Sequence, residues 1–104
     1  MRRSIVLLVV LAFAFTVAIT GAFAERSGKQ LYEATCAGCH GSGLLGAPKF
    51  GDKVWTDLLK KNGLDGFTQN AIAGKGAMPP MGGCGNCSEG EIRAAIEYMV
   101  DSAK

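Results

Sequence analysis

The chain has 104 residues, the length of one domain, with 11 Lys and Arg against 9 Asp and Glu and a formal net charge of +2. The small positive balance belongs to Arg2 and Arg3, because from Glu25 onward nine basic residues meet nine acidic ones and no basic run exceeds Lys60-Lys61. Aromatic and basic residues do not interleave, so the composition speaks against a nucleic-acid-binding surface.

Met1-Arg2-Arg3 is a short basic start, and Ile5 to Ile19 is apolar except for Thr16. Ala22-Phe23-Ala24 then places small residues at the two positions a signal peptidase reads. This pattern predicts a secretory signal over residues 1–24, cleavage between Ala24 and Glu25, and one exported domain over 25–104. The alternative is an uncleaved membrane anchor, since the apolar stretch approaches the roughly 18–20 residues of a membrane span. A domain of 80 residues rich in glycine is near the lower limit of what its own core can hold together, so a disulfide, metal or large cofactor is expected. All four cysteines lie in this domain, in two C-x-x-C pairs, and export implies a compartment that permits oxidation.

The domain reads as about four short helices joined by glycine-rich loops, an all-α arrangement. Ser27 caps a first helix that runs through about Thr35 and leads directly into Cys36 to His40. Gly41 to Gly51 is a loop containing Pro48. A second helix covers Lys53 to Lys61, with Val54, Trp55, Leu58 and Leu59 on one side, and Asn62-Gly63 ends it. Asp65 caps a third, short helix to about Ala73, which Gly74 stops. Gly74 to Cys87 is a second loop, and Met78-Pro79-Pro80-Met81 excludes regular helix within it. Ser88 and Glu91 then form a capping box, followed by an apolar stripe of Ile92, Ala95, Ile96, Met99 and Val100. No segment sustains the alternation of a strand.

Cys36-Ala37-Gly38-Cys39-His40 is C-x-x-C-H, the pattern of covalent haem attachment. Two thiols at this spacing reach two vinyl groups along one haem edge, and the adjacent imidazole falls beneath the ring as an axial ligand. Thioether bonds let a small domain keep a cofactor that it could not enclose. Three other readings compete. Cys84 and Cys87 could join Cys36 and Cys39 in a four-thiolate zinc site, but export disfavours reduced thiolates. A thioredoxin-like pair needs a βαβ frame, which the pattern lacks. A plain disulfide would leave His40 without a role.

The far side of such a haem needs a second ligand. His40 is the only histidine, so this chain alone cannot supply two imidazoles. A thioether is the alternative, and it favours the ferrous state. Met99 lies on the apolar stripe of the last helix and reads as core. Met78 and Met81 flank Pro79-Pro80 in a loop that can hold a side chain rigidly.

Taken together, Gly28, Tyr32, Cys36-x-x-Cys39-His40, Gly46-Ala47-Pro48, Met78-Pro79-Pro80 and the amphipathic last helix resemble a class I cytochrome c. Ala77 to Ser88, with its second cysteine pair, narrows the resemblance to the cytochrome c5 family of bacterial monohaem cytochromes. The resemblance implies a small cytochrome c fold around one haem c bound through Cys36 and Cys39, with His40 and Met78 as axial ligands. Met81 is the competing thioether. It further implies that the Pro48 carbonyl accepts a hydrogen bond from His40, that Gly28 lets the first helix cross the last near Tyr98, and that Cys84 and Cys87 form a disulfide. A catalytic role for that disulfide is disfavoured, because nothing basic, and no histidine, stands next to either thiol to lower its pKa. Trp55 and Phe67 read as core packed on the haem, with a hydrogen bond from Trp55 to a propionate as a further option. Lys49, Lys53, Lys60 and Lys61 read as solvated faces, or else as a ring that attracts acidic partners.

The function this implies is a periplasmic single-electron carrier, not an enzyme, serving membrane cytochrome complexes, oxidases or reductases as a monomer or weak dimer. A peroxidase-like enzyme or sensor would need an open coordination site and polar groups over it. A membrane-anchored subunit of an oxidase complex is the third reading.

Overall fold

The computed structural model describes residues 25–104, so the expected signal peptide over 1–24 lies outside the described residues. Ser27 starts the first helix, α1 (Gly28–Leu31): the Gln30 N–H donates to its hydroxyl and its own N–H donates to the Gln30 side chain. The helix continues without a break through a π-helical segment (Tyr32–Cys36) into α2 (Ala37–His40). Within that segment the Ala37 N–H donates to the Tyr32 carbonyl, one residue further back than in an α-helix. The inserted residue resets which side chains of the next turn face inward.

Helix α3 (Val54–Ala73) joins the second and third helices expected from the sequence end to end, and Gly63, with φ 67° and ψ 165°, breaks the helical backbone between them as expected. Glycine adopts this conformation at no steric cost. Asp65 does not cap the second half as expected. It lies within the helix, and its carboxylate pairs with Arg93. Helix α4 (Glu89–Asp101) opens with the expected reciprocal cap between Ser88 and Glu91.

The core lies where these helices meet. Leu31 and Tyr32, Trp55 and Ala71, and Ile92, Ala95, Ile96, Met99 and Val100 are all buried, the last five from α4. Tyr32, Phe50 and Tyr98 pack as an aromatic group with ring centroids 4.8–5.5 Å apart. Helix α1 crosses α4 at Ala94 and Ala95, about one turn before the expected Tyr98: a Cβ on Gly28 would lie 2.1 Å from the Ala94 carbonyl oxygen. Among the described residues, no helix is long and apolar enough to cross a membrane.

A second tie between the chain ends was not legible in the sequence. Arg26 donates to Glu91 Oε2 from its backbone N–H at 3.1 Å and from Nε at 2.6 Å. Glu91 is only 7% exposed, so it serves as both helix cap and buried ion-pair partner. The Arg26 side chain, helped by the Ser88 N–H, holds the Glu91 carboxyl down at about 2. A carboxylate depressed on folding adds stability above its unfolded value, and this is lost as pH falls through the folded value. Glu91 should therefore make the fold progressively weaker between about pH 4.5 and about pH 2. Urea unfolding at pH 5 and pH 2 checks this: E91Q should lose less stability than wild type over that interval.

Candidate functional site

One cavity of about 410 Å³ gathers the residues singled out in the sequence: Cys36, Cys39, His40, Pro48, Trp55 and Met78 all line it. Leu58, Phe67, Ala71, Ile96 and Met99 give it an apolar floor. Met81 is absent from this wall and packs against the hydrophobic core instead.

His40 is buried at the end of α2, and its ring orientation is set by contacts on two sides. Its Nδ1 lies 2.9 Å from the Pro48 carbonyl oxygen. A carbonyl can only accept, so Nδ1 carries the proton and the Nε2 lone pair is left for a metal. Trp55 packs against the imidazole with centroids 5.3 Å apart, and Phe67 stacks on Trp55 at 5.8 Å. The indole N–H donates to the Lys49 carbonyl at 2.8 Å. This corrects the propionate option: the indole has one N–H, and the backbone takes it. Trp55 therefore pins the loop residue next to Pro48, and Pro48 pins the histidine.

Met78 sits at the end of a two-residue hairpin. The Lys75 N–H donates to the Met78 carbonyl and the Met78 N–H donates to the Lys75 carbonyl, both at 3.0 Å. Gly74 has φ +83°, and a Cβ on it would lie 2.9 Å from both the Met78 oxygen and the Pro80 nitrogen. Glycine is thus required for the turn that places the methionine. Lys49, Lys53, Lys60 and Lys61 do not line the cavity. Lys75 does, and it is the one charged group in the wall. Leu44, 53% exposed, and Leu45, 79% exposed, bring apolar surface to its edge, with Asn62 and Asn70 also in the wall.

The donors suit a haem and exclude the four-thiolate zinc reading. Cys36 and Cys39 form no disulfide, and both line the cavity. Cys84 and Cys87 are bonded to each other and lie outside the cavity wall. What remains is an apolar slot with two thiols, an imidazole with a free lone pair, and a thioether. That set matches covalent haem with histidine and methionine ligands. The expectation that no basic group stands beside the second cysteine pair is overturned. Folding brings Arg26 Nη2 to 3.5 Å from Cys87 Sγ and 4.0 Å from Cys84 Sγ.

Comparison with known proteins agrees with this geometry. Residues 23–99 match the sequence model of the family described as cytochrome c oxidase, cbb3-type, subunit III. Cytochrome c5 of Azotobacter vinelandii is 47% identical over 76 residues, covering 71% of this chain and 92% of that protein. Cytochrome c-555 of Chlorobaculum thiosulfatiphilum is 40% identical over 83 residues, covering 75% of this chain and 95% of that protein. A chain in the crystal structure of an electron transfer complex of nitrite reductase with cytochrome c superposes with a TM-score of 0.71 at 42% identity, covering 79% of this chain and 100% of that one. The chain belongs to the cytochrome c5 family of class I monohaem cytochromes c, all-α electron-transfer proteins whose cofactor is haem c held covalently through cysteine.

Proposed function

We propose that this chain is a periplasmic single-electron carrier whose haem is bound through Cys36 and Cys39 and ligated by His40 and Met78. The observation that carries the reading is that these four side chains line one apolar cavity. Bound haem supplies one iron that gains or loses a single electron. The protein fixes the coordination: Pro48 and Trp55 hold the imidazole, and the Lys75–Met78 hairpin holds the thioether. Among the described residues, the cavity wall has no carboxylate, no arginine and no histidine other than His40, and Lys75 is its one basic group, which is a poor complement for peroxide chemistry.

Redox partners would meet the cavity at Leu44 and Leu45, the exposed large apolar residues of its wall. A reductase is a fitting partner class, because a similar chain is part of an electron transfer complex with nitrite reductase. The family description also favours a second reading, a haem-bearing subunit of an oxidase complex. Purification of the exported protein from its native membrane and soluble fractions separates the two.

The carrier reading has a direct spectroscopic test. The oxidised protein should show the weak absorption band at the red end of the visible spectrum that marks a methionine–iron bond, and it should cycle reversibly by one electron. An oxidised protein without that band is not a six-coordinate carrier of this kind.

A further inference from the structure

Outside the haem cavity, reactive side chains concentrate where the second loop enters α4. The Cys84–Cys87 disulfide there spans only three positions in sequence, so the chain-entropy benefit of closing it is at the low end for disulfides. Its surroundings go beyond what a brace requires. Arg26 Nη2 reaches both sulfurs, at 3.5 Å from Cys87 and 4.0 Å from Cys84. A guanidinium gains little from a neutral disulfide and much from a thiolate. Asn86 Oδ1, 3.3 Å from Cys84 Sγ, is placed to accept an S–H. Cys87 immediately precedes the N-cap of the 13-residue helix α4, whose positive end also favours a thiolate. Cys87 is half-buried while Cys84 is 7% exposed, so an incoming sulfur reaches Cys87 and displaces Cys84.

We infer that Cys84–Cys87 is an exchange-active disulfide whose substrate class is a dithiol, a two-electron redox function separate from the haem. A thiolate of the dithiol attacks Cys87 Sγ, a mixed disulfide forms, and the Cys84–Cys87 bond breaks with Cys84 leaving as a thiolate beside Arg26. The dithiol's second sulfur then attacks the first, and Cys87 is released. The protein gains two electrons and two protons, and the dithiol becomes a disulfide. Glu91 opposes this by competing for the same guanidinium nitrogen, at 2.6 Å from Nε and 3.4 Å from Nη2, while Asn86 Oδ1 also accepts from Nη2 at 3.4 Å.

The test equilibrates the haem-loaded protein in reduced and oxidised dithiothreitol, traps thiols by alkylation and weighs the Cys84–Cys87 peptide. The wild-type pair should titrate between its two states. R26Q should shift the equilibrium about tenfold towards the disulfide, ~30 mV lower for a two-electron couple. R26K should stay close to wild type, and E91Q should shift the other way. A purely structural Arg26–Glu91 brace would instead make the disulfide easier to reduce in both R26Q and E91Q. That result, or a wild-type pair that stays oxidised in excess reduced dithiothreitol, overturns the inference.

Discussion

Replacing Met78 with alanine should abolish the red absorption band of the oxidised protein and lower its reduction potential, whereas M81A should do neither. The two methionines are three residues apart, but their backbones place them differently. Met78 is held by two hydrogen bonds across a hairpin and lines the haem cavity. Met81 has φ +57°, is only partly buried and is absent from the cavity wall. Loss of the thioether removes the ligand that favours ferrous iron. The expected fall is on the order of 0.1 V, well inside the roughly 0.8 V over which axial ligands set haem potentials. M78A should also open the iron to added cyanide or carbon monoxide, measured by absorption. Retention of the band in M78A and its loss in M81A would reverse the ligand assignment.

Gly28→Ala should be the most destabilising single-methyl change outside the haem site. Helix propensity alone favours alanine by up to about 1 kcal/mol. Packing opposes it: the new Cβ would lie 2.1 Å from the Ala94 oxygen and 2.6 Å from the Ala94 carbon, both backbone atoms that no rotamer change can move. Overpacking a close contact costs about 1–3 kcal/mol, and a clash with backbone belongs at or above the upper end. The sterics should win, with a Tm lower by roughly 10–20 °C for a domain of this size. Alanine at Gly38, where a Cβ meets nothing within 4 Å, is the control and should melt close to wild type.

What could be read from the chain alone was mostly local. Cys36 to His40 carries its meaning within five residues, and Ser88 with Glu91 announces a helix start by spacing. Asn62-Gly63 marked a break, and Gly63 does bend α3 there. Relations between distant residues were not legible. Nothing next to Arg26 in the sequence marks it, yet it meets Cys84, Cys87 and Glu91 some 60 positions away. Ser88 and Glu91 showed the cap but not the second partner that buries it. Asp65 had the composition of a cap and became a surface ion pair, because helical backbone resumes before it. The π-helical segment left no trace, since Tyr32 to Cys36 has no residue type that demands it. It follows from packing Leu31 and Tyr32 into the core while keeping His40 buried at the cavity. The crossing point of α1 on α4 moved from Tyr98 to Ala94 for a related reason: a glycine announces a close approach but not the residue approached.

The pinned histidine has a consequence for speed. An electron hops quickly only when the atoms around the metal are already near the positions that suit both charge states. Trp55 fastens Lys49, the neighbouring Pro48 carbonyl fastens the imidazole, and two reciprocal bonds fasten the methionine turn. Each fastening uses backbone groups that do not change charge with the iron. In the proposed carrier such a scaffold would keep its shape as an electron arrives or leaves, so little energy would go into rearranging it. In this fold, small loops tied by few bonds take the place of a large rigid core.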